Sequence, residues 1–147
     1  TSSESKLYYD SEDVMGWEFV DAGFKVVFSK DIPSLVNSLI KDDILKYLKD
    51  NNLSINEIKN YVIHPGGTKV INAYEESLLI PREKLKNTIQ TLHDYGNMSS
   101  VTALYVLEKF ITEGFEDGRG LMMSLGPGFS CEMLLLEMKN ETVVTNK

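Results

Sequence analysis

Tyr61-Val62-Ile63-His64 is a short buried-strand pattern cut off by Pro65-Gly66-Gly67, and apolar residues at helical spacing resume at once through Val70, Ile71, Tyr74 and Leu78. A strand, a glycine-rich turn and a helix in direct succession call for a sheet layered against helices. The histidine falls at the carboxyl end of the strand, where open α/β sheets hold their ligands. No other stretch of the chain narrows the fold as far.

The flanking segments agree with this reading. Trp17–Val20 and Phe24–Phe28 are rich in aromatic and β-branched residues and are separated by Asp21-Ala22-Gly23, which reads as a hairpin. Asp31 precedes Ile32-Pro33 as an N-cap candidate. Leu35, Val36, Leu39, Ile40, Ile44, Leu45 and Leu48 then mark a helix that ends at Asn51-Asn52. Ser54 and Glu57 have the spacing of a capping box. Pro81 opens a further helix through Leu85, Ile89 and Leu92 to Tyr95-Gly96, and another follows Asn97 with Val101, Leu104, Tyr105, Leu107 and Phe110. The spread of apolar positions on that last helix predicts burial on more than one side. Leu121–Leu125 and Cys131–Met138 read as strands joined by a tight turn at Gly126-Pro127-Gly128.

At 147 residues the chain is one domain, long enough to bury a core. Its net charge of −7 argues against a broad footprint for nucleic acid or anionic lipid. Arg82, Lys84 and Lys86 read as a solvated helix face. No apolar run is long enough to cross a bilayer. The single cysteine argues against a disulfide-stapled secreted domain, so a reducing cytoplasm is the expected compartment. The chain begins with Thr1 rather than Met, a hint of truncation. Residues 1–16 are expected to be a linker or boundary segment, 17–138 the domain and 139–147 a tail.

Three segments place glycine beside a polar residue at the start or end of an element. In His64-Pro65-Gly66-Gly67, the glycines allow close backbone approach to a ligand and the next helix start offers free N–H groups. The alternative is a histidine satisfying a hydrogen bond at a turn. In Tyr95-Gly96-Asn97-Met98-Ser99-Ser100, Asn97 is either a helix cap or a neutral N–H donor for a developing oxyanion or enolate. Gly126-Pro127-Gly128 either turns one strand into the next or shapes a pocket wall. Cys131, among Met133 and Leu135, reads as a core thiol rather than a nucleophile. His93 reads as a helix-surface or packing residue. The two histidines and one cysteine lack zinc-ligand spacing, and no dinucleotide or P-loop motif is present.

In this order, Lys30-Asp31-Ile32-Pro33, His64-Pro65-Gly66-Gly67, Tyr95-Gly96-Asn97-Met98-Ser99-Ser100 and Gly126-Pro127-Gly128 resemble the chalcone and stilbene synthases, from about Trp17 to Glu137. The resemblance implies an α/β fold, the C-terminal half of a thiolase-like layered structure with a mixed sheet flanked by helices. It implies a Cys–His–Asn site in which His64 and Asn97 match the family's histidine and asparagine. The cysteine belongs to an N-terminal half, for which Cys131 is in the wrong segment.

The implied chemistry is a type III polyketide synthase reaction. A thiolate, favoured by an adjacent imidazolium, takes an acyl group from acyl-CoA, and malonyl-CoA loses CO2 to an enolate held by the His64 Nε2–H and the Asn97 amide. Repeated condensation gives a pyrone, a resorcinol or a chalcone-like ring. Val26, Gly126, Pro127 and Gly128 are expected to shape the acyl pocket, and Gly66 and Gly67 to lie near the CoA arm. No cofactor or metal is expected beyond malonyl-CoA and acyl-CoA as substrates. A missing N-terminal thiolase-like domain and a homodimer of the full enzyme are the expected partners.

Val26 replaces a bulky phenylalanine common in plant members, and Ser124-Leu125 replace a Gly-Phe. Both departures argue against the plant-type starter, and a bacterial enzyme using fatty acyl-CoA starters is the hypothesis that replaces it. Two alternatives stand beside this reading: a domain like the ketoacyl-ACP synthase III enzymes, and a half-length protein that binds acyl-CoA without chemistry.

Overall fold

The computed structural model of the chain describes residues 2–140. In chain order it contains strands β1 (Ser2–Leu7), β2 (Met15–Val20) and β3 (Gly23–Phe28). Helices α1 (Ile32–Leu35) and α2 (Lys41–Asp50) follow, joined by a π-helical turn at Val36–Ile40. Then come β4 (Ile58–Ile63), α3 (Thr68–Leu78), α4 (Lys86–Tyr95), α5 (Val101–Glu113), β5 (Gly118–Gly126) and β6 (Ser130–Met138). Short 3₁₀ turns at Ile55–Glu57 and Arg82–Leu85 lead into β4 and α4. At the first of these, the Glu57 carboxylate accepts the Ser54 N–H and hydroxyl, both at 2.8 Å, as the capping-box spacing predicts.

Four strands form one mixed sheet in the order β1-β6-β5-β4, with β4 parallel to β5 and the other pairs antiparallel. The period of two sorts its side chains into two layers. Tyr61, Ile63, Leu121, Met123, Cys131, Met133 and Leu135 face the main core, where they meet Ile32, Ile44, Leu48, Val70 and Tyr74 of the α1–α2 and α3 helices. Val62, Met122, Leu136 and Met138 face the other way, under Val106 and Phe110 of α5. This is the helix-flanked mixed sheet that the resemblance implies. Both faces of β4 are covered, so its apolar run is nearly continuous rather than alternating.

Two expectations differ from the structure. Helix α5 is buried on one side only, through Thr102, Ala103, Val106 and Phe110, while Val101, Leu104 and Ile111 remain 45%, 58% and 66% exposed. Among the described residues no second layer lies beyond it. The segment expected as a linker is partly sheet: β1 pairs with β6 from Ser2↔Leu135 to Leu7↔Ser130. Its half-buried side chains are Ser2, Glu4 and Lys6, so no apolar alternation marks it as a strand. Polar contacts fasten it instead. Lys6 and Tyr8 both reach the Asp43 carboxylate on α2, and Tyr47 on α2 bonds to Ser2. Of the tail expected at 139–147, residues 141–147 lie outside the described residues.

Cys131 is fully buried in the main core, as its neighbours predict. Burial, with the negative charge of Asp43 nearby, pushes its thiol up to about 12. The native thiol is therefore expected to resist a water-soluble disulfide reagent at about pH 8, and to react fully in urea. Rapid labelling of the folded chain would contradict this.

Candidate active site

Strand β4 delivers His64 to its position. The His64 N–H donates to the Met123 carbonyl at 2.9 Å, carrying the parallel ladder one residue past the strand. The Thr88 hydroxyl on α4 donates to the Ile63 carbonyl at 3.0 Å, so the strand end is held from the helix side as well. Pro65 has no N–H and stops the ladder. Gly66 takes φ +63°, a left-handed conformation that suits glycine, and the chain turns into α3.

Asn97 arrives from the α4–α5 connection. Helix α4 ends at Gly96, and α5 begins only at Val101, so Asn97 does not cap it. Its amide is held at both ends. The Nδ2 group donates to the Gly66 carbonyl at 2.8 Å, and Oδ1 accepts the Ser99 N–H at 2.8 Å. One hydrogen of Nδ2 remains for a ligand. The approach to α5 is fixed by the buried Thr102, whose hydroxyl accepts the Met98 N–H at 2.8 Å.

His64 and Asn97 line one cavity of about 410 Å³. Its remaining wall comes from the hairpin (Met15, Gly16, Trp17, Val26 and Phe28), from Met98, Ser99 and Ser100, and from the end of β5 and the turn after it (Ser124, Leu125, Gly126 and Pro127). In the hairpin register Trp17 faces Val26, Phe19 faces Phe24 and Met15 faces Phe28, so these six side chains share one apolar face.

Of the residues expected at the site, His64, Asn97, Val26, Gly126 and Pro127 meet at this cavity. Gly67 lines a neighbouring cavity of about 290 Å³ with Lys30, Thr68 and Lys69, and Phe28 is common to both. Gly66 lines neither of these two cavities. Gly128 also lies off the wall of the cavity shared by His64 and Asn97. A Cβ there would come within 3.0 Å of Leu7 Cδ1, and its φ is +130°, so its place is in the packing of the turn against β1. His93 is exposed on α4 beside Asp94, outside the site. Sequence reading missed Met15, Trp17 and Phe28. The signal was present in the alternation of the two hairpin strands, which aligns Trp17, Phe19, Phe24, Val26 and Phe28.

The His64 ring is partly buried and its Nδ1 has no hydrogen-bond partner among the described residues. Burial pushes its pKa down, favouring a neutral imidazole. An imidazolium here needs an anion such as a thiolate beside it. The unfolded chain protonates this ring near pH 6.5 and the folded chain only at lower pH, so His64 makes the fold lose stability as pH drops below about 6.5. Urea unfolding at pH 7 and pH 5.5 should show a steeper loss in the parent chain than in His64→Gln. Equal slopes would remove His64 as the cause.

The fold and cavity define a layered α/β half of the thiolase-like type, with His64 and Asn97 brought to one cavity by the β4–α3 and α4–α5 connections. Residues 1–139 match the family model for chalcone and stilbene synthases, C-terminal domain, and the chain belongs to that family. A chalcone synthase-like protein of Bacillus subtilis is 48% identical over 135 residues, which are 90% of this chain and 37% of that protein. The 1,3,6,8-tetrahydroxynaphthalene synthase of Streptomyces peucetius is 34% identical over 137 residues, 92% of this chain and 36% of that enzyme. The crystal structure of 1,3,6,8-tetrahydroxynaphthalene synthase from Streptomyces coelicolor, a bacterial type III polyketide synthase, superimposes with a TM-score of 0.87 at 23% identity. That match covers 95% of this chain and 40% of that one. The chain thus spans little more than a third of the length of these relatives. The ketoacyl-ACP synthase III alternative is not favoured. No helix among the described residues is long and apolar enough to cross a membrane.

Proposed function

We propose that this chain supplies the decarboxylating half of a type III polyketide synthase site, completed by a cysteine from a preceding thiolase-like half. The observation that carries the reading is the Asn97 amide, anchored at both ends with one N–H to spare, on the same cavity wall as His64. Malonyl-CoA bound there loses CO2, and the electron pair of the broken bond moves into an enolate whose oxygen is held by the Asn97 N–H and the His64 Nε2–H. The enolate carbon attacks the cysteine-bound acyl carbonyl, and the thiolate leaves as the new carbon–carbon bond forms. A neutral His64 performs the donor role without needing a countercharge. No cofactor enters the scheme.

Lys30 and Lys69 beside Gly67 suit the phosphate end of a CoA arm. Val26, Trp17 and Leu125 offer the apolar wall that a fatty acyl starter requires. The exposed stripe of Val101, Leu104 and Ile111 on α5 supports a second half packing there. A homodimer of the whole enzyme in the cytoplasm completes the proposal; a reducing compartment suits the free Cys131.

Incubating the chain alone with malonyl-CoA and an acyl-CoA starter should yield no condensation product by mass spectrometry. Steady product formation that Cys131→Ala abolishes would overturn the division of labour. A non-catalytic acyl-CoA-binding role has no observation in its favour here.

A further inference from the structure

We infer that Gly66 is a positioning residue for Asn97, acting through its backbone carbonyl; the inference rests on the donor role proposed for Asn97. An asparagine amide can turn over by 180°, presenting oxygen where nitrogen stood. Here the inverted form would set Oδ1 against the Gly66 carbonyl and the NH2 group against the Ser99 N–H, turning two hydrogen bonds into two repulsions. The Gly66 carbonyl therefore selects the orientation that offers a donor to the enolate oxygen.

That carbonyl points towards Asn97 because Gly66 is left-handed, at φ +63°. A Cβ there would meet only Val70 side-chain carbons at 3.5 Å or more, so space does not demand glycine. The backbone conformation does. An alanine at this position favours a φ that swings the carbonyl away and frees the amide to invert. Gly66 lines neither the cavity shared by His64 and Asn97 nor its neighbour, which separates this role from contact with the CoA arm.

Steady-state malonyl-CoA decarboxylation by the complete synthase tests the assignment. Gly66→Ala should lower kcat about 10- to 100-fold, the scale of a small misplacement of a catalytic group, with KM for malonyl-CoA within about twofold. In an Asn97→Ala background the same substitution should cost almost nothing further. A raised KM with unchanged kcat would overturn the inference in favour of a CoA-arm contact, as would an equal loss of kcat in both backgrounds. If Asn97→Ala slows the reaction and Gly66→Ala does not, the positioning role fails and the donor role stands. If Asn97→Ala has no effect, the donor role fails and takes this inference with it.

A measurement on the parent chain needs no folded variant. The Asn97 side-chain amide should show a heteronuclear 15N NOE as high as the backbone of α5. A low, mobile value would refute the anchor directly.

Discussion

Within a complete synthase, Asn97→Ala and His64→Ala are each expected to slow malonyl-CoA decarboxylation by about 10²–10³-fold, the cost of losing one preorganised oxyanion donor. The two should differ in character. Asn97 is exposed and, among the described residues, its amide bonds only to the Gly66 carbonyl and the Ser99 N–H, so its loss removes a donor and leaves the core untouched. His64 continues the β4 ladder with its backbone, which alanine retains. Its partly buried ring leaves a void that water can enter, so a smaller residual rate is expected there. Single-turnover release of CO2 from malonyl-CoA measures both. Full rates in either variant would exclude that residue from enolate stabilisation.

Tyr47→Ala is expected to destabilise the fold by about 3–5 kcal/mol, and Tyr47→Phe by about 1–3 kcal/mol. Tyr47 is 2% exposed, and its ring forms part of the main core. Its hydroxyl donates to the Ser2 carbonyl at 2.7 Å, and accepts the Ser2 hydroxyl at 2.9 Å and the Leu135 N–H at 3.1 Å. One side chain thus fastens α2 to both β1 and β6. Phenylalanine keeps the ring but leaves the Leu135 N–H buried without its acceptor, and that desolvation sets the smaller figure. Urea titration of both variants checks the ranking. A Tyr47→Phe chain as stable as the parent would show that water replaces the hydroxyl at no cost.

The helices and inner strands were legible because their apolar residues keep a period that tertiary packing uses directly. Leu35 to Leu48 and Tyr61 to Ile63 are the clearest cases. Strand β1 was not, since its inward positions are Ser2, Glu4 and Lys6, and its partners on α2 and β6 are remote in sequence. The cavity was legible in His64 and Asn97, each of which falls at the end of an element within two residues of a glycine. Of its hairpin wall only Val26 was singled out, because Trp17 and Phe28 join the cavity only where the hairpin meets the end of β5. Gly128 misled for the opposite reason: a Gly-Pro-Gly turn looks like a pocket rim, yet its last glycine serves close packing against Leu7.

The pairing of β1 with β6 has a kinetic consequence. Ser2 meets Leu135, so the contacts that complete the sheet span almost the whole described chain. Such non-local closure is slow, and during synthesis β1 emerges long before its partner exists. Until β6 arrives, β5 lacks a neighbour on one side and its core-facing Leu121 and Met123 have no finished layer to enter. The last of the described strands therefore commits the sheet, and folding yield should be more sensitive to changes in Ser130–Met138 than to equally buried changes in the early helices.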